Sequence, residues 1–192
     1  MGAKRQIRMG AAVAQAAALL TLVVGACEAP TDTASPVVNA LRDGGHVLVL
    51  RHTATGSGVD TTDDPTDCER QRNLSSEGRA DAEAIGRALD ELGIPISDVR
   101  ASPMCRTMDT ARLAFGETEA DERLLQSADP AGVRTLLEAA TPPDGNRVLV
   151  GHQGSILEAT GVDLEEGEMA VFGPDGDPVT TFSVEDWARL LE

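Results

Sequence analysis

The chain predicts an α/β fold: a mostly parallel central sheet with helices on both faces, a three-layer α/β/α sandwich. Three observations predict it. "HVLVL" at 46–50 and "RVLV" at 147–150 are short, continuous apolar runs, the pattern of strands buried on both sides. Segments with apolar residues at helical spacing alternate with such runs along the chain. Each run ends one or two residues before a histidine, His52 or His152, although the 192 residues hold only three histidines.

The elements follow in order. "SPVVNALRDG" reads as a short helix stopped by glycine, and "HVLVL" as the first strand. Residues 52–74 are polar, with Gly56, Gly58 and Pro65, and form a long loop. A loop of that length in a compact domain is functional or disordered. "SSEGRADAEAIGRALDELG" is a helix capped by Ser75 or Ser76, with an apolar stripe of Ile85, Ala88, Leu89 and Leu92 and a stop at Gly93. "SDVRAS" is a short strand. Ser102 and Pro103 then open a helix through "MCRTMDTARLAF". "ADERLL" reads as a weak strand, and "DPAGVRTLLEAAT" as a helix opened by Asp129 and Pro130. "RVLV" is the second buried strand and "GSILEATG" the helix after it. "EGEMAVFGPDGDPVTTFSV" reads as a hairpin turned at "GPDGD", and "VEDWARLL" as a closing helix.

The first residues read differently. "MGAKRQIRMGAAVAQAAALLTLVVGACEAP" has a basic start, an apolar stretch from about Gly10 to Val24, and then small residues, the pattern of an export signal. The stretch is short for a membrane span and carries Gln15. "VGAC" at 24–27 resembles the lipobox of bacterial lipoproteins. That resemblance implies a lipid on Cys27, which becomes the mature N-terminus on a membrane of the cell envelope. An ordinary cleaved signal or an uncleaved anchor is the other reading. The expected organisation is a lipoprotein signal peptide over 1–26, a flexible tether over 27–37 and one domain over 38–192, long enough to bury a core. With lipid on Cys27, Cys68 and Cys105 remain, and an oxidising compartment favours their pairing. Two free buried thiols are the alternative.

Charge excludes one class of partner. The formal net charge is −16, and beyond residue 26 the chain carries 32 acids against 13 arginines, because Lys4, Arg5 and Arg8 all lie before it. Such a surface repels polyanions, so no nucleic-acid partner is expected. Arginines aimed into a pocket stand out against this background. Three Phe, one Trp and no Tyr leave the core to aliphatic side chains.

Ligands of covered parallel sheets bind at the carboxyl ends of the strands. "VLVLRHT" delivers Arg51 and His52 there. "VRASPMCRT" delivers Arg106 in the first turn of a helix, and "VLVGHQG" delivers His152 just before another. Two arginines, two histidines and two helix N-termini suit a phosphate, with guanidinium and imidazolium groups supplying the positive charge. A histidine beside a bound phosphoryl group can be a nucleophile. His46 lies at the other end of its strand, ~20 Å away at about 3.3 Å per residue, and cannot share the site. Arg72 in "QRNLS" reads as a structural salt bridge.

"LRHTAT", "RNLSSEGRADAEAIG", "ASPMCRTMDTA" and "VLVGHQG" resemble, in order and spacing, the histidine phosphatase superfamily of phosphoglycerate mutase-like fold, over about 38–175. The resemblance implies a metal-independent phosphohydrolase with no cofactor, acting on a small phosphorylated substrate. His52 would be transiently phosphorylated, and Arg51, Arg106 and His152 would hold the phosphoryl oxygens. The chain departs from the family at Thr53, where Gly is usual. It also departs at Gln153 and Gln126, which stand where two branches of the family carry an acidic proton donor. No general acid is therefore named, and the pocket lacks the insertions of larger members. The competing reading is a catalytically weak or inactive lipoprotein that binds phosphate or another anion on the same fold. A metallohydrolase using His52 and His152 with Asp60, Asp63 or Asp64 is a third, although two arginines would repel the cation. "GHQGS" lacks the spacing of a serine nucleophile elbow.

Overall fold

The computed structural model describes residues 36–141 and 144–192. The expected signal peptide, Cys27 and the tether up to residue 35 lie outside the described residues. The tether expected to run to residue 37 ends sooner, because the first helix, α1, already begins at Pro36 and runs to Asp43. Its Val38 and Leu41 pack into the core.

Twelve helices and strands follow the expected alternation among the described residues. They are α1, β1 Val47–Arg51, α2 Ser76–Glu91, β2 Ile96–Ala101, α3 Cys105–Phe115, β3 Glu119–Ala120, α4 Pro130–Glu138, β4 Asn146–Gly151, α5 Gln153–Thr160, β5 Met169–Phe172, β6 Pro178–Phe182 and α6 Val184–Arg189. One six-stranded sheet runs in the order β3-β2-β4-β1-β5-β6. The first four are parallel, and the β5–β6 hairpin adds antiparallel to β1. Alternate residues divide the core as a pleat requires. Leu48, Leu50, Val148, Val150, Met169 and Val171 meet α1, α2, α3 and Trp187 of α6 on one face. Val47, Val49, Leu149, Ala170 and Phe172 meet α4 and α5 on the other. The result is the three-layer α/β/α sandwich.

Local chemistry sets the element ends. The Ser75 hydroxyl accepts from Gly78 N–H at the start of α2, and Asp129 accepts from Ala131 N–H at the start of α4. Gly93 and Gly161 end their helices at positive φ, where a side chain would be strained. Two expectations change. "ADERLL" gives only a two-residue β3, because the Asp121 carboxylate accepts from Arg123 N–H and turns the chain into a 3-10 turn over Glu122–Leu124. The helix expected from Ser102 starts at Cys105 instead. Ser102 N–H extends the sheet by donating to Val150 O, and its hydroxyl goes to His152, so neither serves as a cap.

The long loop is ordered. It folds back through a bridge between Thr55 and Leu74, and Thr61 N–H donates to Arg70 O at 2.8 Å. A disulfide joins Cys68 to Cys105. Gln71 reinforces the join: its Oε1 accepts from Cys105 N–H at 2.9 Å, and its Nε2 donates to Asp64 O and Pro65 O. The loop is thereby fixed to the first residue of α3.

Candidate active site

β1 and β4 are neighbours in register, with Arg51 opposite Gly151. Their carboxyl ends therefore release His52 and His152 side by side. The two rings sit edge to face with centroids 5.5 Å apart. Both histidines are buried, with 2 % and 1 % of their surface exposed. His52 is held by its backbone on two sides: its N–H donates to Gly151 O, and its carbonyl accepts from Gly167 N–H.

The tautomer of His52 follows from its partner. Nδ1 lies 3.0 Å from the Thr53 carbonyl oxygen, which can only accept, so Nδ1 carries the proton. Nε2 then holds the lone pair. Burial pushes the His52 pKa down to about 4; the Arg106 and Arg51 charges add to this, against the Thr53 hydrogen bond and the Glu166 charge. His52 is a neutral base near neutral pH, as a nucleophile must be. Thr53, the departure from the usual glycine, fits because α3 offers a partner. Its hydroxyl and its N–H both lie 3.2 Å from Thr110 Oγ1, which itself donates to Arg106 O.

His152 caps α5 by position without a side-chain hydrogen bond to that helix. Its Nε2 lies 2.9 Å from Ser102 Oγ, and its Nδ1 is buried with no partner. Burial drives its pKa down to about 2, with the charges of Arg106, His52, Arg51 and Arg72 acting in the same direction. The expected imidazolium is therefore a neutral imidazole in the unliganded protein. It can still offer an Nδ1–H.

The two expected arginines arrive as read. Arg51 Nη1 donates to Leu164 O at 2.7 Å, and its buried Nε has no partner. Arg106, in the first turn of α3, is 2 % exposed. Its Nη1 lies 3.2 Å from both oxygens of Asp60, and its buried Nε is also without a partner. Burial lowers the Arg106 pKa, and the charge of Asp60 opposes the shift. Asp60 in turn accepts from Arg72 N–H at 2.8 Å.

One residue of the site escaped the sequence reading. Glu166, in the loop before β5, accepts from Thr55 N–H at 3.0 Å and from the Thr55 hydroxyl at 2.9 Å. It stands 3.7 Å from Arg51 Nη2, 3.9 Å from Arg72 Nη2 and 4.0 Å from His52 Nδ1. Burial alone would raise its pKa; the Thr55 hydrogen bonds and the His52 and Arg51 charges overcome this and lower it. Arg72 does form the salt bridge expected of it, but with this carboxylate, so it borders the site. The signal for Glu166 lies in the hairpin. β5 runs antiparallel to β1, so the acidic stretch just before it returns to the edge where His52 emerges.

The remaining readings are placed as follows. His46 bonds Gly44 O at the far end of β1. Gln153 is half-buried and donates to Asp163. Gln126 lines a cavity beside Arg106. Among the described residues no three His, Cys, Asp or Glu side chains converge as a metal-binding group, so His52, His152 and the loop aspartates do not form the cluster that a metallohydrolase would need. Asp60 faces a guanidinium instead.

Residues 47–126 match the family model described as histidine phosphatase superfamily (branch 1). Over those residues the chain carries the sequence pattern of that superfamily. The protein histidine phosphatase SixA complexed with tungstate is similar in fold, with a TM-score of 0.57 at 16% identity over 72% of this chain and 97% of that one. A protein named as a SixA phosphohistidine phosphatase from Agrobacterium tumefaciens gives a TM-score of 0.54 at 17% identity, over 72% and 98%. Another from Nakamurella multipartitia gives 0.52 at 20%, over 72% and 95%. At these identities the likeness concerns the fold. No curated protein matches the chain at a significant level.

Proposed function

We propose that the protein is a phosphohydrolase that works through a phosphohistidine on His52. One observation carries the reading. Arg51 Nε, Arg106 Nε and His152 Nδ1 are buried with no partner among the described residues, and they come from three different segments beside His52. Buried donors of this kind are costly unless something satisfies them. A phosphoryl group offers three oxygens to three donors.

The steps follow from the geometry. His52 Nε2 attacks phosphorus in line, forming the N–P bond as the bond to the leaving group breaks. The Thr53 carbonyl accepts from Nδ1–H and steadies the imidazolium that develops. The two guanidinium groups and His152 stabilise the charge on the equatorial oxygens, the main source of rate in phosphoryl transfer. Water then attacks phosphorus, the N–P bond breaks and orthophosphate leaves.

Proton supply narrows the substrate. Glu166 is held ionised by Thr55 and has no proton to give near neutral pH. Asp60 is tied to Arg106, and Gln126 and Gln153 are amides. Such a site suits leaving groups that depart without an enzymic acid, such as the imidazole of a phosphohistidine or an activated aryl oxide. The names of the fold relatives support the former. We further propose that the domain works in the cell envelope, attached through lipid on Cys27. The basic, apolar and "VGAC" segments support this, as does a disulfide, which persists in oxidising compartments.

The test is turnover of p-nitrophenyl phosphate with and without EDTA. Activity survives chelation, His52→Ala abolishes it, and acid-labile, base-stable phosphate is trapped on the wild type alone. Tungstate binding without any turnover would favour the anion-binding protein instead.

A further inference from the structure

A cavity of about 520 Å³ opens beside Arg106, with Asp60, Asp63, Met104, Leu125 and Gln126 in its walls. Arg106 belongs both to this wall and to the cluster around His52, so the cavity adjoins that cluster. Its charge is uneven. Asp60 is matched by the Arg106 guanidinium and the Arg72 N–H. Asp63 is exposed and, among the described residues, accepts no hydrogen bond or ion pair. Gln126 is neutral, and Met104 and Leu125 give the cavity an apolar side. A phosphoryl group on Arg51, Arg106 and His152 would direct its leaving group toward these walls.

We propose that this cavity is the leaving-group subsite and that it selects small phosphorylated compounds whose leaving group carries an ammonium, with Asp63 as the specificity-determining residue. The inference rests on the phosphatase reading above. Methylene groups lie against Met104 and Leu125, and the ammonium meets Asp63. A neutral or anionic leaving group leaves Asp63 unmatched, and an anionic one is repelled by it. The cavity is too small for the selection to need a folded partner.

Phosphoethanolamine and n-propyl phosphate have nearly the same shape, differ in that charge, and serve only as binding probes, because a site without an enzymic acid does not expel their alkoxides. Each is measured as an inhibitor of p-nitrophenyl phosphate turnover and, in parallel, by calorimetric titration. Phosphoethanolamine binds about fivefold more tightly at low salt, the scale of a solvent-exposed ion pair. The preference shrinks as salt screens it. Asp63→Asn removes the preference and Asp63→Glu keeps it. The ratio is read within each protein, so a change in overall affinity cancels. Equal affinities in the wild type, or a preference that persists in Asp63→Asn, overturn the subsite even with turnover intact. Absent turnover of p-nitrophenyl phosphate overturns the phosphatase reading instead, and the calorimetric ratio still decides the subsite.

Discussion

His52 and His152 are both buried as neutral rings, and this ties pH to stability as well as to chemistry. The folded pKa of His52, about 4, lies below the 6.5 of an unperturbed imidazole. Between those values the unfolded chain binds more protons than the folded one. Stability is therefore fully present above about pH 6.5 and falls as pH drops toward 4, by about 3 kcal/mol at 1.36 kcal/mol per pKa unit. His152 extends the fall to lower pH, and the two rings titrate as a pair. Urea midpoints between pH 7 and 4.5 should fall for the wild type and fall less for His52→Asn; parallel profiles would contradict buried neutral bases. A bound oxyanion reverses the local field and favours imidazolium at His152. Tungstate binding near neutral pH should therefore take up protons, visible as a binding enthalpy that depends on the buffer's ionisation enthalpy.

At the scale of elements, the strands were readable because a sheet covered on both faces demands unbroken apolar runs, and helix starts were readable where Ser75 and Asp129 cap. The histidine positions followed from the strand ends. What failed to show was side-chain choice within loops. Glu165 and Glu166 are adjacent and chemically alike, yet the Glu165 side chain is 84% exposed and that of Glu166 25%. Only the return of β5 along β1 decides between them. Asp60 was named only among possible ligands of the third reading and serves Arg106, because loop residues have no periodicity to orient them. The close approach of α2 to the loop was equally hidden: a Cβ on Gly78 would collide with the Ala54 carbonyl. Cys68 and Cys105 were visible as a pair, and the structure shows what the pair holds. The bridge, spanning 37 positions, ties the loop carrying Asp60 to the turn carrying Arg106. In the chain-entropy model closing such a loop contributes about 4 kcal/mol. Reduction should lower the melting temperature and weaken tungstate binding together. If Cys68→Ser/Cys105→Ser binds tungstate as the wild type does, Gln71 and the Asp60–Arg106 pair hold the loop in place without the bridge.

At the scale of the whole molecule, charge decides how the protein can meet a membrane. Beyond residue 26 the chain carries 32 acids and 13 arginines, so an anionic bilayer surface repels it. Among the described residues no helix is long and apolar enough to cross a membrane. Basic amphipathic helices, the other route to a membrane surface, are also missing from those residues: α1 and α6 each carry acids beside their arginines. Attachment of this domain would therefore have to come from the chain before Pro36, and if it came from lipid, a single acyl chain, whose binding is marginal, would not hold it against electrostatic repulsion. Processing at "VGAC" would supply lipid at Cys27 and leave eight residues before α1 begins at Pro36. Cys27→Ser should move the protein wholly from the detergent phase to the aqueous phase on phase separation, while turnover of a soluble aryl phosphate stays unchanged. Raising the salt should not restore membrane binding to that variant, because screening removes repulsion without adding apolar contact. A Cys27→Ser protein that still partitions into detergent would place the anchor in the apolar stretch from Gly10 to Val24 rather than on the cysteine.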